Sequence, residues 1–183
     1  FQKVLSCIRE VAERFDAPVT SIQSFHADGQ WRLPNEIVDQ EYHTYNQGYG
    51  KCSHSGYHLF DILCQFYQTG FRLGKFADSM QVISSFVQPR GFLMQFNEKN
   101  YEDYFGPAYQ SVKKRDDKEL YDLFEHFGEM DAAVLIRFFK NGEILGNATL
   151  NLLHNSFARR HWVQPGKDLY KGNGRVKHEC HSI

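Results

Sequence analysis

The side chains that could do chemistry are densest between Lys51 and Asp61. If a helix begins near Ser53, then His54, His58 and Asp61 fall at positions i, i+4 and i+7 and share one helical face. Imidazole is the side chain that exchanges protons near neutral pH, so a histidine here could act as a general acid or base. The spacing alone does not decide between His54 and His58.

The same cluster permits two other interpretations. Two histidines four residues apart can bind a metal ion as neutral imidazoles on one helical face, as in a metal-dependent lyase or hydrolase. No third ligand is visible in the sequence, however, and no glutamate follows His54 as it does in the metalloprotease motif. We therefore assign no metal site. A capped, hydrogen-bonded helix start with a purely structural role remains the second alternative.

An aromatic stretch leads into this cluster. Residues 29–50 are rich in turn formers and aromatic rings and have no clean period, which predicts an ordered loop. Trp31, His43 and Tyr45 could stack against a sugar ring and donate hydrogen bonds to it, so they are candidate substrate-binding residues. An aromatic plug that covers a sheet edge would use the same residue types, and the sequence leaves both interpretations open.

The surrounding elements follow from periodicity. Apolar spacings of three and four predict an amphipathic helix over residues 1–15 and a second helix that carries His58 and ends before Gly70. Strands are predicted over residues 18–27 and from residue 79 until Pro89 closes the second one, with short helices in an irregular stretch from 92 to 130. Asn141-Gly142 between two β-rich runs predicts a hairpin. The sum is a single α+β domain over residues 1–183, with an open, largely antiparallel or mixed sheet and helices packed on one face.

Composition excludes several classes of protein. The 183 residues carry 21 basic and 22 acidic side chains, so the net charge of −1 lacks the basic surplus of a dedicated nucleic-acid binder. No uncharged apolar run approaches the roughly 18 residues that span a membrane. Four scattered cysteines without a CxxC pair indicate reduced thiols in a cytoplasmic protein. Because the chain begins at Phe1 instead of Met, we expect it to be a segment of a longer protein.

The order of these motifs resembles a known family. A helix carrying His58-x-x-Asp61, a strand, and then Asp131-Ala-Ala leading into the Asn141-Gly142 hairpin is similar to the C-terminal domain of the glucose-fructose oxidoreductase / inositol dehydrogenase-like family of NAD(P)-dependent oxidoreductases. The family pattern is Asp-x-x-x-His-x-x-Asp on the helix. His54 stands where the family has its first aspartate, and Lys51-Cys52 resembles a variant found in some members.

The resemblance implies a function. His58 would be the catalytic acid or base, assisted by Lys51, His54 and Asp61, and the substrate would be a sugar, polyol or related hydroxy compound. NAD or NADP would be bound mainly by a Rossmann domain that is absent from this segment, so the segment alone would be inactive. The family also implies a homodimer or homotetramer formed through the face of the sheet. The alternative is a non-catalytic ligand-binding or oligomerisation domain.

Overall fold

The protein has an α+β fold, as the sequence predicts, with helices and an open, mixed sheet of four strands. The computed structural model describes residues 1–27, 34–39, 47–110 and 113–154. A π-helical turn, Cys52–Gly56, precedes α3, and 3₁₀ turns follow α3 and α7 at Gln68–Leu73 and Phe124–His126. The helices are α1 (Gln2–Phe15), α2 (Pro34–Asp39), α3 (Tyr57–Tyr67), α4 (Pro89–Gln95), α5 (Glu98–Phe105), α6 (Pro107–Gln110) and α7 (Asp117–Leu123), and the strands are β1 (Ser21–Ala27), β2 (Ser79–Val87), β3 (Asp131–Lys140) and β4 (Glu143–Leu153).

The described residues divide into two compact units. The first unit comprises Phe1–His26, Ser55–Ser85 and Ala132–Asn151, and the second unit comprises the rest. Most of the sheet therefore belongs to the first unit, whereas α2 and α4 to α7 belong to the second. Whether the two units act as the single domain that the sequence predicts stays a prediction.

The sheet is organised around the hairpin of β3 and β4. Asn141 and Gly142 have φ angles of 52° and 86°, the left-handed pair that a two-residue turn between twisted strands requires, so the predicted hairpin is confirmed. The strands are hydrogen-bonded in the order β1-β4-β3-β2, which leaves β1 and β2 at the edges. Strand β2 is exposed at every position except Val87, which is half-buried.

Helix α3 covers one face of this sheet. Leu63 of α3 is buried against a cluster from β1, β3 and β4, and the ring of Tyr67 stacks on Phe138 with centroids 4.0 Å apart. Burying a side chain of this size contributes roughly 1.5 to 3 kcal/mol, so these contacts fix α3 on the sheet. The buried members of the cluster are Ile22, Leu63, Val134, Ile136, Phe138, Ala148 and Leu150.

The end of the second predicted helix differs from the sequence expectation. Helix α3 stops at Tyr67 and continues as a 3₁₀ turn, and the left-handed residue that ends it is Gly74, with φ 67°, instead of Gly70. Gly70 is buried inside the turn, where a Cβ would lie 3.0 Å from the Cβ of Pro18. Close packing therefore accounts for the glycine at this position.

A helix also occupies part of the predicted aromatic loop. Helix α2 begins at a proline, the residue favoured at a first helical position, and buries Ile37 against Phe92 and Leu120 in the core of the second unit. Tertiary burial of one apolar side chain thus stabilises a helix too short to show a period in the sequence.

A buried carboxyl group, Glu98, organises the second unit. Its Oε1 accepts a hydrogen bond from Asn35 Nδ2 at 2.9 Å, and the hydroxyl of Tyr109 donates to Oε2. Burial raises the pKa of Glu98 to about 7, although the bonds from Tyr109 and Asn35 and the charge of Lys113 favour the carboxylate. The group is therefore only partly ionised at neutral pH.

Glu98→Gln should change how stability depends on pH. Because the pKa of Glu98 is raised in the folded protein, the stability that its proton contributes is fully present below about pH 4.5 and is lost as the pH rises through about 7. A glutamine stays neutral, so at roughly pH 8 the variant should be more stable than the native protein by roughly 1 to 3 kcal/mol. Chemical denaturation at a series of pH values measures this.

Glu102→Gln is the matched control on the same helix. Its pKa is lowered, with a hydrogen bond from Lys113 as the first cause, so its contribution should be lost towards acid pH. If Glu98→Gln were as pH-dependent as the native protein between about pH 5 and 8, the assignment of this dependence to Glu98 would be wrong.

Candidate functional site

The backbone at Lys51 and Cys52 is hydrogen-bonded to Glu129, which lies two residues before β3. Lys51 N donates to the carbonyl oxygen of Glu129 at 2.8 Å, and Cys52 N donates to Glu129 Oε1 at 2.9 Å. Gly50 and Gly128 allow the two stretches of backbone to come this close, because a Cβ on Gly128 would lie 2.2 Å from the backbone nitrogen of Gly50. The two backbones therefore meet with no side chain between them.

Cys52 is held as a thiol in this arrangement. Partial burial raises its pKa to about 11, and the hydrogen bond to Glu129 and the negative charge of that carboxylate act in the same direction. A thiol that keeps its proton is a poor nucleophile at neutral pH. We therefore assign Cys52 a structural role.

Lys51 is completely buried, with no exposed surface. Its positive charge acts on Asp131, the first residue of β3. Burial alone would raise the pKa of Asp131, yet the net direction is downward because two hydrogen bonds from His154 and the charges of His154 and Lys51 favour the carboxylate. Asp131 is thus held ionised by the hydrogen bonds and charge of His154, with a smaller contribution from the charge of Lys51.

His154 follows the end of β4 and is 3% exposed. Its backbone N and its ring Nδ1 both lie within hydrogen-bonding distance of Asp131 Oδ1, at 2.7 and 2.8 Å. The ring meets Phe92 edge-on, with centroids 4.7 Å apart. Nε2 is buried and has no hydrogen-bond partner among the described residues. An aspartate on Nδ1 fixes the orientation of an imidazole and leaves Nε2 as its other functional atom.

The histidines and aspartate of the predicted helical face lie in different units. His58 and Asp61 are on α3 in the first unit, and both are exposed. His54 is exposed too, but it lies in the π-helical turn and in the second unit with Lys51. Bonding from i to i+5 widens a π-helical turn, so the spacing of His54 and His58 is not that of a regular α-helix.

His58 and Asp61 each have one close neighbour on α3. The ring of His58 lies 3.8 Å from that of Tyr57, and Asp61 accepts a hydrogen bond from Gln65 Nε2 at 2.6 Å. Within the described residues His58 makes no hydrogen bond to Asp61. The proposed catalytic roles of these residues stay predictions, and the candidate substrate-binding residues Trp31, His43 and Tyr45 lie outside the described residues.

Sequence reasoning missed the pair of Asp131 and His154. The sequence interpretation includes Asp131 only as part of a family motif and does not include His154. A signal was present, because a two-residue hairpin turn at Asn141-Gly142 brings the start of β3 beside the end of β4. Counting back from that turn places residues 131 and 154 close together, although they are 23 residues apart in the chain.

Comparisons with known proteins do not identify this chain: no protein-family model, curated protein or solved structure matches it. Among the described residues, no three His, Cys, Asp or Glu side chains are grouped so that they could hold a metal ion. In the same residues, no helix is both long and apolar enough to cross a membrane.

Gly128→Ala should disrupt the contact that supports Lys51. The new methyl group would collide with the backbone of Gly50 and Tyr49, which cannot rotate away as a side chain could, so we expect a destabilisation of roughly 2 kcal/mol or more. Thermal or chemical denaturation measures the loss.

Gly91→Ala is the matched control in the same unit. Its Cβ would meet only Val87 Cγ1, at an ordinary 3.9 Å, and alanine is the better helix former, so stability should be unchanged or raised by up to about 1 kcal/mol. Equal effects of the two substitutions would contradict the steric argument.

Proposed function

We propose that this chain is the substrate-side domain of an NAD(P)-dependent oxidoreductase that acts on a sugar, a polyol or a related hydroxy compound. The observation that carries the proposal is an exposed imidazole, His58, in the first turn of α3, with the motif order that resembles the oxidoreductase family around it. The α+β fold with an open sheet is in agreement with this proposal and does not single it out.

In this proposal His58 takes the proton of the substrate hydroxyl while the neighbouring carbon loses a hydride. A nicotinamide nucleotide would supply the hydride acceptor, and we assign its binding mainly to a nucleotide-binding domain upstream of Phe1. The ring contact with Tyr57 limits the orientations of the imidazole. Asp61 would contact the substrate or stabilise α3, since its carboxylate accepts a hydrogen bond from Gln65 on the same helix.

Lys51 is proposed to place positive charge where an alkoxide develops. A positive charge fixed before the reaction stabilises a developing negative charge without reorganisation. His54 is proposed as an auxiliary proton carrier.

The proposed setting is a cytoplasmic homodimer or homotetramer that binds neither nucleic acid nor membrane. An exposed edge strand supports association, because Met80, Val82 and Phe86 of β2 are each at least half exposed. Apolar strands left open at an edge tend to be covered by another chain or another element.

A non-catalytic ligand-binding domain is the alternative. A cavity of about 490 Å³ lies in the first unit between α3 and the sheet, and this volume is in the range of small-molecule sites. Its wall is largely apolar and includes Phe60, Tyr67, Phe71, Met80 and Phe138. A ligand bound there without any turnover would favour this alternative.

His58→Asn tests the proposed reaction. In the full-length protein, assayed with both nicotinamide nucleotides against a panel of polyols, the variant should lower kcat by roughly 10²- to 10⁴-fold because the group that takes the proton is lost. Binding of the nucleotide should be unchanged. Stability should also change little, since His58 is exposed.

His54→Asn is the control, since it removes another exposed imidazole of the same segment. We expect a smaller effect on kcat than that of His58→Asn. If His54→Asn abolished turnover and His58→Asn did not, the assignment of the acid/base would be wrong by four residues. If neither changed turnover, the catalytic interpretation of α3 would fail.

A further inference from the structure

We propose that the cavity between α3 and β2 binds a small molecule that joins an apolar ring to an ammonium group. All the described residues that line this cavity of about 490 Å³ belong to the first unit. By helical spacing, His58 lies on the side of α3 that faces away from the cavity. This binding site therefore goes beyond the proposed function and does not depend on it.

One helix and one edge strand form the two walls of the cavity. Apolar residues three and four apart on α3 line the first wall: Phe60, Leu63 and Tyr67. Met80 and Val82, two residues apart on β2, line the second wall. Helix α3 packs against β1, β3 and β4 and leaves β2 exposed, so a cleft remains between the helix and the edge strand.

The floor of the cavity is formed by alternate residues of β3, namely Val134, Ile136 and Phe138, each less than a tenth exposed. The ring of Tyr67 is fixed over this floor, because it stacks on Phe138 and its hydroxyl oxygen accepts a hydrogen bond from Ala77 N at 2.8 Å. Surfaces that are in place before a ligand binds lower the entropic cost of binding. A volume of this size with an apolar, partly aromatic lining is typical of a small-molecule site.

Asp78 determines the charge of the ligand, because it is the one charged side chain among the described residues that line the cavity. Its Oδ1 accepts a hydrogen bond from Ser79 Oγ and its Oδ2 accepts one from Asn141 N, at 2.9 Å each. A carboxylate oxygen can accept two hydrogen bonds, so each oxygen has a site left for an ammonium group. The pKa of Asp78 is lowered, with the bond from Asn141 as the first cause, so the group is ionised at neutral pH.

A neighbouring lysine does not occupy this position. The charge of Lys140 makes the smallest contribution to the lowered pKa of Asp78, and its ammonium group donates to the carbonyl oxygen of Gly74 at 3.0 Å. Lys140 is not among the residues that line the cavity. Aromatic faces and a carboxylate both attract an ammonium group, whereas the many hydroxyls of a sugar would lose hydrogen bonds to water in an apolar cavity. The lining therefore favours a cation with an apolar body.

Two probes of similar shape and opposite charge test the proposal. Tryptamine and indole-3-propionate share an indole ring and a two-carbon chain, which ends in an ammonium group in one and in a carboxylate in the other. Equilibrium dialysis of the full-length protein should show that tryptamine binds more tightly. In Asp78→Asn the ratio of the two affinities should fall by roughly tenfold, because loss of the charge weakens one complex and strengthens the other. Glu10→Gln, which removes an exposed carboxylate of α1 outside the cavity, should leave the ratio unchanged.

Two exposed cysteines of the first unit show where the probe binds. Cys64 lines the cavity, and Cys7 of α1 does not. At a tryptamine concentration of about ten times Kd, alkylation of Cys64 by N-ethylmaleimide should slow roughly tenfold by mass action, and alkylation of Cys7 should be unchanged. Cys64→Trp should fill the cavity and abolish the binding of tryptamine, whereas Cys7→Trp should not.

Several results would overturn the proposal. Equal affinities for the two probes, or a ratio that Asp78→Asn leaves unchanged, would show that the carboxylate does not select the ligand. If Asp78→Asn does not fold, the comparison of the two probes on the native protein and the protection of Cys64 decide instead. If Cys64 resists alkylation without ligand while Cys7 reacts, a second copy of the chain or another part of the protein covers the cavity, and the proposal is wrong.

These measurements require no turnover, so their outcome is separate from that of the proposed reaction. If tryptamine binds as described but the protein oxidises no polyol, the binding site is upheld and the oxidoreductase proposal fails. If polyols are oxidised but tryptamine does not protect Cys64, the opposite conclusion follows.

Discussion

The close approach of two backbones at Gly50 and Gly128 is the constraint on which the architecture around the candidate site depends. A Cβ on Gly50 would lie 1.7 Å from Glu129 Oε2, and a Cβ on Gly128 would lie 2.2 Å from Gly50 N, so neither position has room for a side chain. This approach lets Glu129 accept hydrogen bonds from the backbone amides of Lys51 and Cys52. Two residues after Glu129, Asp131 begins β3, accepts a hydrogen bond from the backbone N–H of His154 and lies 2.8 Å from its ring Nδ1.

A second carboxyl group of this unit, Glu98, is held in a different protonation state. Burial raises its pKa to about 7, so part of the population keeps a proton at neutral pH. Asn35 and Tyr109 donate hydrogen bonds to its two oxygens. Asp131 instead stays charged because the bases around it lower its pKa. One carboxyl responds to pH near neutrality and the other does not.

Local patterns made part of this fold predictable. Asn141-Gly142 specifies the hairpin through left-handed backbone angles, and the apolar stripe of α3 specifies which face meets the sheet. The second unit depends on contacts between residues far apart in the chain: Asn35 and Glu98 are 63 residues apart, and Cys52 and Glu129 are 77 apart. No period or motif encodes such pairs, because each forms only after the surrounding elements have packed.

The same stripe explains why the catalytic role proposed for His58 would need a further part of the protein. Residues 59, 63 and 66 of α3 face the core, whereas His58, Asp61 and Gln65 share the opposite side of the helix. A proton transfer coupled to hydride loss proceeds best where water is excluded, because fixed dipoles are strong only in a dry site. An exposed face cannot exclude water. The proposed oxidoreductase therefore requires that bound substrate and a nucleotide-binding domain cover this side of α3, so that the histidine becomes buried only in the complete enzyme.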